Sequence, residues 1–147
     1  MVKSFRKPIT SFRDLEIYQN TYEAMLIVAK GLLNQLPVSE KYDLRNQLSR
    51  STKAIPRLIA EGYAKKHQRA GFQKYLDDAM AECNETIVSI EQARDLYNLD
   101  LYLCDSLIEI YDKSVRQIYR LAEAWTKFKN FRKTTPSNYT SSDTAIR

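Results

Sequence analysis

Between Leu44 and Arg69 the chain reads LRNQLSRSTKAIPRLIAEGYAKKHQR, and this stretch constrains the fold more than any other. Apolar or small residues fall at Leu44, Leu48, Ser51, Ile55, Leu58 and Gly62. Their steps alternate four and three, which is the seam of a helix in a bundle. Arg50, Lys53 and Arg57 share an arc roughly opposite that seam, at about 100° per residue. One helix thus carries a core stripe on one side and cations on the other. Pro56 lies within it, where a proline removes a backbone donor and favours a kink. Gly62 offers either a close backbone approach or a loosened turn.

The same spacing recurs along the rest of the chain. Ser11 and Asp14 have the offset of a capping box, and helix 1 is expected from there to about Gln35. Its stripe is Leu15, Tyr18, Tyr22, Met25, Ala29, Leu32 and Leu36, and Pro37 ends it. Ser39 is placed to cap helix 2, which runs to about Lys65. Helix 3, from near Ala70 to about Tyr97, has Phe72, Leu76, Ala79, Cys83, Thr86, Ile90, Ala93 and Tyr97 in register. Asp100 can cap helix 4, whose stripe is Cys104, Leu107, Tyr111, Ser114, Ile118, Leu121, Trp125 and Phe128. Four amphipathic helices with short connections give an all-α fold, an antiparallel up-down-up-down four-helix bundle. The expected organisation is a flexible basic arm over residues 1–10, the bundle over 11–131 and a disordered polar tail over 132–147. Leu26, Leu33, Ile59, Met80, Ile87, Ile108 and Ile110 lie off the stripes, and either widen the core face or serve a subunit interface.

Composition excludes several classes. The 147 residues form one domain, with 44% hydrophobic residues and only three glycines and four prolines. There is no apolar run long enough to span a membrane and no apolar leader, so a cytoplasmic, membrane-independent protein is expected. Cys83 and Cys104 fall on helical stripes and read as buried thiols. A di-metal carboxylate site in a bundle needs two Glu-x-x-His pairs, whereas the single histidine, His67, sits among lysines. There is no nucleophile elbow, phosphate loop or Cys-x-x-Cys. The reading is therefore non-enzymatic, with no cofactor and no metal. Glu85, beside the Thr86 core position, reads as a structural carboxylate bonded across the bundle.

Charge points to a partner. The net charge is +5 and the pI about 9.2, which favours nucleic acid or another acidic surface. Lys41–Lys66 holds seven cations against two acids, and Lys113–Lys133 seven against one. Ala70–Tyr97 inverts this, with two cations and six acids. Helix 3 can neutralise its neighbours within one bundle, or acidic and basic faces can meet between subunits. Three cationic patches are candidates for phosphate contact: Arg50, Lys53 and Arg57; Lys65, Lys66 and Arg69, with Lys74 a turn on; and Lys127 and Lys129, followed by Arg132 and Lys133, with Phe128 and Phe131 interleaved. Cations among aromatics suit phosphate contact plus base stacking.

The central stretch also carries a resemblance. It resembles the four-helix-bundle proteins encoded in intervening sequences of bacterial 23S ribosomal RNA genes. Tyr42, Leu44, Gln47, Leu48, Arg50, Ile55, Pro56, Ile59, Ala60, Glu61 and Gly62 match that family's pattern, as do Ser11–Glu16, Ala79, Glu85, Ala93, Asp95 and Leu96. The similarity covers roughly residues 11–125. Leu58 replaces a common Asn, and Arg57 stands where a small polar residue is usual. The resemblance implies a homopentameric ring. It also implies kinship with the accessory variability determinant of diversity-generating retroelements, which partners a reverse transcriptase and binds its template RNA. Two functions follow as expectations: an RNA- or DNA-binding accessory to a reverse transcriptase, or a protein-only oligomeric scaffold.

Overall fold

The computed structural model describes residues 7–134, with side chains through Lys127. The chain before residue 7 and after 134, and with it most of the expected arm and tail, lies outside the described residues. Four antiparallel helices form the bundle. Helix α1 comprises Glu16–Ile27, a π turn over Val28–Leu32 and a last turn at Leu33–Gln35. Helices α2, α3 and α4 span Leu44–Ala64, Arg69–Leu96 and Leu101–Thr134. Helix α1 packs on α2 and α4, and α3 packs on the same two from the other side. Among the described residues there is no strand.

The caps explain where the helices start. Ser11 and Asp14 do form a capping box, but on a short 3-10 turn, Phe12–Asp14, that precedes α1. The backbone N–H groups of Thr10 and Ser11 donate to the Asp14 carboxylate at 3.0 Å each. These bonds hold its carboxyl below the usual range, Thr10 contributing most. Asp100 caps α4 through the Leu103 N–H at 3.1 Å. Ser39 does not cap α2. It lies in a second 3-10 turn, Val38–Glu40, and the Glu40 carboxylate accepts from the Leu44 N–H at 3.1 Å instead. Pro37 fixes an extended backbone just before that turn, so regular helix begins five residues beyond Ser39.

The core of α1 departs from the expected stripe. Ile17, Thr21, Ala24 and Val28 are buried, whereas Tyr18, Met25 and Ala29 are half-buried and Tyr22 is 42% exposed. The stripe thus lies one residue N-terminal of the expected one, and rejoins it at Leu32 and Leu36. Steps of four from Ala24 to Leu36 would drift about 40° each in a regular helix. The π turn, with more residues per turn, cancels that drift. Two other stripe positions also move by one. Ile59 rather than Leu58 is fully buried in α2, and Ala122 rather than Leu121 is buried in α4. Tyr97 is half-buried just past the end of α3.

The remaining stripe residues through Ile118 are buried, from Leu44 to Ile55 on α2, Phe72 to Ala93 on α3 and Cys104 to Ile118 on α4. Phe128 lies outside the described side chains. Leu33 joins the core, and Met80, Ile87, Ile108 and Ile110 pack half-buried against it, so the off-stripe residues do widen the core face. Both cysteines are buried free thiols, and burial pushes Cys83 up to about 12. Pro56 is buried within an α2 that continues through it. Gly62 is a site of close approach: a Cβ there would stand 2.8 Å from Tyr75 Cβ on α3.

Candidate nucleic-acid interface

Antiparallel packing gathers most of the candidate cations at one end of the bundle. The 65–68 connection joins the end of α2 to the start of α3. The Phe72 and Trp125 rings meet edge to face at 5.0 Å. The Gln73 amide donates to the Ala122 carbonyl at 2.8 Å. The last part of α4 therefore lies beside the start of α3. Phe12 shares a groove with Pro56, Arg57 and Ala60, which puts the start of the bundle domain at this end as well. Arg13, Arg57, Lys65, Lys66, Arg69, Lys74 and Lys127 form this basic end, with Asp14, Glu61, Asp77 and Glu123 as local acids, and Lys53 lies one turn further in, at the middle of α2.

The cations differ in how far they are already committed. The Lys127 ammonium is 2.9 Å from Glu123, one turn back on α4. The ammonium groups of Lys65 and Lys66 sit over the Tyr75 and Tyr63 rings, at 5.3 and 3.9 Å from the centroids. Among the described residues, Lys53, Arg57, Lys65, Lys66 and Arg69 form no ion pair within 4 Å. Glu61, one turn beyond Arg57, does not pair with it. The side chain of Lys129, like those of Arg132 and Lys133, lies outside the described residues.

The trio Arg50, Lys53 and Arg57 divides by its contacts. All three are exposed, but Arg50 leans toward α3, where its guanidinium is 3.7 Å from Glu85. Glu85 is therefore the cross-bundle carboxylate expected from the sequence, at a half-exposed outer edge. Lys53 and Arg57 lean the other way and flank a groove of about 360 Å³ between α1 and α2. Its other walls are Phe12, Tyr18, Tyr22, Met25, Pro56 and Ala60. The Phe12 and Tyr18 rings meet edge to face at 4.9 Å, and Tyr18 and Tyr22 lie 5.8 Å apart with planes tilted 33°. The Arg13 guanidinium caps Phe12 at 4.5 Å.

Reading the sequence as one continuous heptad missed these aromatic residues, because it put the tyrosines in the core. A signal was present. Thr21 and Ala24, one position over from Tyr22 and Met25, are the small residues that fit between close helices. A tyrosine also needs a polar partner or water for its hydroxyl, which favours a half-exposed face.

The far end of the bundle has the opposite sign. Glu40, Asp43, Glu91 and Asp95 surround a second groove with Leu44, Gln47, Val88 and Leu96. The Tyr97 hydroxyl donates to Glu40, which with the Leu44 N–H holds that carboxyl below its ordinary range. Val38, Tyr42, Leu96, Leu101 and Tyr102 are exposed around this end. Arg50–Glu85 is the one α2–α3 ion pair among the described residues.

The geometry can be set beside known proteins. The 23S rRNA-intervening sequence protein family matches residues 13–120. The chain belongs to this family. The match takes in the 3-10 turn's Arg13, all of α1, α2 and α3, and α4 as far as Arg120, so both grooves lie almost wholly within the family region. Neither the curated proteins nor the solved structures give a significant match. No helix among the described residues is long and apolar enough to cross a membrane.

Proposed function

We propose that this family member is a non-enzymatic, oligomeric nucleic-acid-binding protein that takes RNA or DNA phosphates on its basic end. The observation that supports this reading is the convergence of Arg57, Lys65, Lys66 and Arg69 toward one pole, with Lys53 a turn further along α2, none of them in an ion pair among the described residues. Cations outside ion pairs can exchange their counterions for phosphates, which drives such binding. The exposed apolar residues at the acidic end support self-association, since patches of that kind mark protein contacts. A homopentamer and a reverse transcriptase partner are the assembly and partner that the resemblance implies.

Filter binding of a structured RNA across a salt series tests the reading. The affinity should fall steeply with salt, each phosphate contact adding roughly 0.7 to 0.9 to the logarithmic slope. Replacing Lys65, Lys66 and Arg69 together by Glu should abolish binding with helicity retained. A parent protein that fails to bind at about 50 mM salt would leave the protein-only scaffold as the function. Light scattering giving a mass near one chain, 17.2 kDa, would remove the oligomer, and failure of a neighbouring reverse transcriptase to co-purify would remove that partner.

A further inference from the structure

The groove between α1 and α2 has a chemistry that general phosphate contact does not use. Lys53 and Arg57, neither in an ion pair among the described residues, stand one turn apart on α2. Their separation along the helix axis is about 6 Å, comparable to one step of an extended nucleic-acid strand. Beneath them the groove is aromatic and apolar. Tyr18 and Tyr22 form one wall, with Tyr22 open to solvent, and Pro56 and Ala60 form the facing surface. At about 360 Å³ it has the size of a small-ligand cleft. A double helix keeps its base faces stacked inside and could offer this groove only phosphates. An unpaired nucleotide offers both a phosphate and a free π face.

We infer that this groove is a single-strand site, in which an unpaired base stacks on the Tyr18–Tyr22 wall while Lys53 and Arg57 take the adjoining phosphates. This rests on the nucleic-acid reading above and narrows it to single-stranded segments, such as loops or ends of a folded RNA. Base–aromatic stacking tolerates any base, so the site selects strandedness rather than sequence. The Ser11–Asp14 capping box and the Phe12–Tyr18 contact hold the groove's open edge in place before any ligand arrives.

The test compares a single-stranded RNA of about ten nucleotides with its duplex, using the full chain. The single strand should bind at least about tenfold more tightly at moderate salt. Tyr22→Ala should lose about tenfold on the single strand with an unchanged salt slope. Lys53→Gln with Arg57→Gln should lower that slope by about two contacts' worth. A 5-iodouridine single strand, irradiated in the complex, should cross-link to the tryptic peptide that runs from Asp14 to Lys30 and contains both tyrosines. Equal affinity of parent and Tyr22→Ala for the single strand, or cross-links confined to other peptides, overturns the site while leaving phosphate binding at the basic end intact. A fall in oligomer mass on Tyr22→Ala assigns the groove to a second copy of the chain and also overturns it. Loss of all binding in the parent defeats the broader reading instead.

Discussion

The hydroxyls of Ser51 and Thr86 lie 2.8 Å apart in the core, bridging α2 and α3 at positions with no solvent exposure. The arrangement is lopsided. Thr86 is also 2.8 Å from the Glu82 carbonyl on its own helix, whereas the other contact of Ser51 is a long 3.5 Å to the Leu48 carbonyl. Removing the threonine hydroxyl therefore strands the serine, and removing the serine hydroxyl does not strand the threonine. Thr86→Val should cost about 1–3 kcal/mol, the penalty of a buried unsatisfied group. Ser51→Ala should cost less than half as much, helped by alanine's helix propensity of about 0.5 kcal/mol. Denaturant midpoints of the two variants and the double variant measure this, and equal costs would contradict it.

Gly62→Ala pits propensity against space. Alanine gains about 1 kcal/mol over glycine in a helix interior. The new Cβ, however, would sit 2.8 Å from Tyr75 Cβ, which is fixed to the α3 backbone and cannot swing away. Overpacking costs typically 1–3 kcal/mol, so the variant should be less stable than the parent, by about 1 kcal/mol net. A raised melting temperature would show that α2 and α3 can separate freely there.

Glu82 supplies a pH test. Partial burial, and then the neighbouring Glu85, push its carboxyl above the ordinary range, against the pull of Arg50. A raised folded-state value means that ionisation costs folding energy: the penalty is complete above that value and absent below the unfolded one. Glu82→Gln should therefore raise the melting temperature near pH 7. The gain should vanish as the pH falls below the ordinary glutamate range. Melting curves at both ends of that range check the sign, and a gain that persists in acid would assign it to packing instead.

The two thiols should be silent in the folded protein. Cys83 and Cys104 are both buried, and burial pushes both up, Cys83 to about 12. Reaction needs an accessible thiolate. A chromogenic disulfide reagent at pH 8 should titrate neither cysteine until denaturant is added, and both thereafter.

Leu48 and Ile118 are fully buried on α2 and α4. Leu48→Asp or Ile118→Asp puts a carboxylate where no partner waits, at a cost of several kcal/mol. Loss of the helical circular-dichroism signal at room temperature is expected for each.

The bundle was legible in the sequence because its helices obey one spacing. On α3 every stripe residue from Phe72 to Ala93 is where that spacing puts it. Helix α1 was misread because a constant spacing cannot foresee a π turn, here Val28–Leu32. The same one-residue shift moved Tyr18 and Tyr22 from the expected core to a groove wall. Arg50 was grouped with Lys53 and Arg57 because an arc on a helical wheel says nothing of neighbours. Glu85 on α3 draws Arg50 one way, while Lys53 and Arg57 border α1. The clustering of cations from α2, the 65–68 connection and α4 is a tertiary fact, visible only once the helices run antiparallel.

The opposite signs of the two ends have a consequence for geometry at longer range. Helix α2 alone is 21 residues long, a rod of about 30 Å. Ions at physiological strength mask a charge beyond about 8 Å. A polyanion on the basic end would therefore not sense Glu40, Asp43, Glu91 or Asp95 at the other. On the proposed reading the bundle would serve as a spacer, gripping at one pole and presenting a separate, electrically independent surface at a fixed standoff.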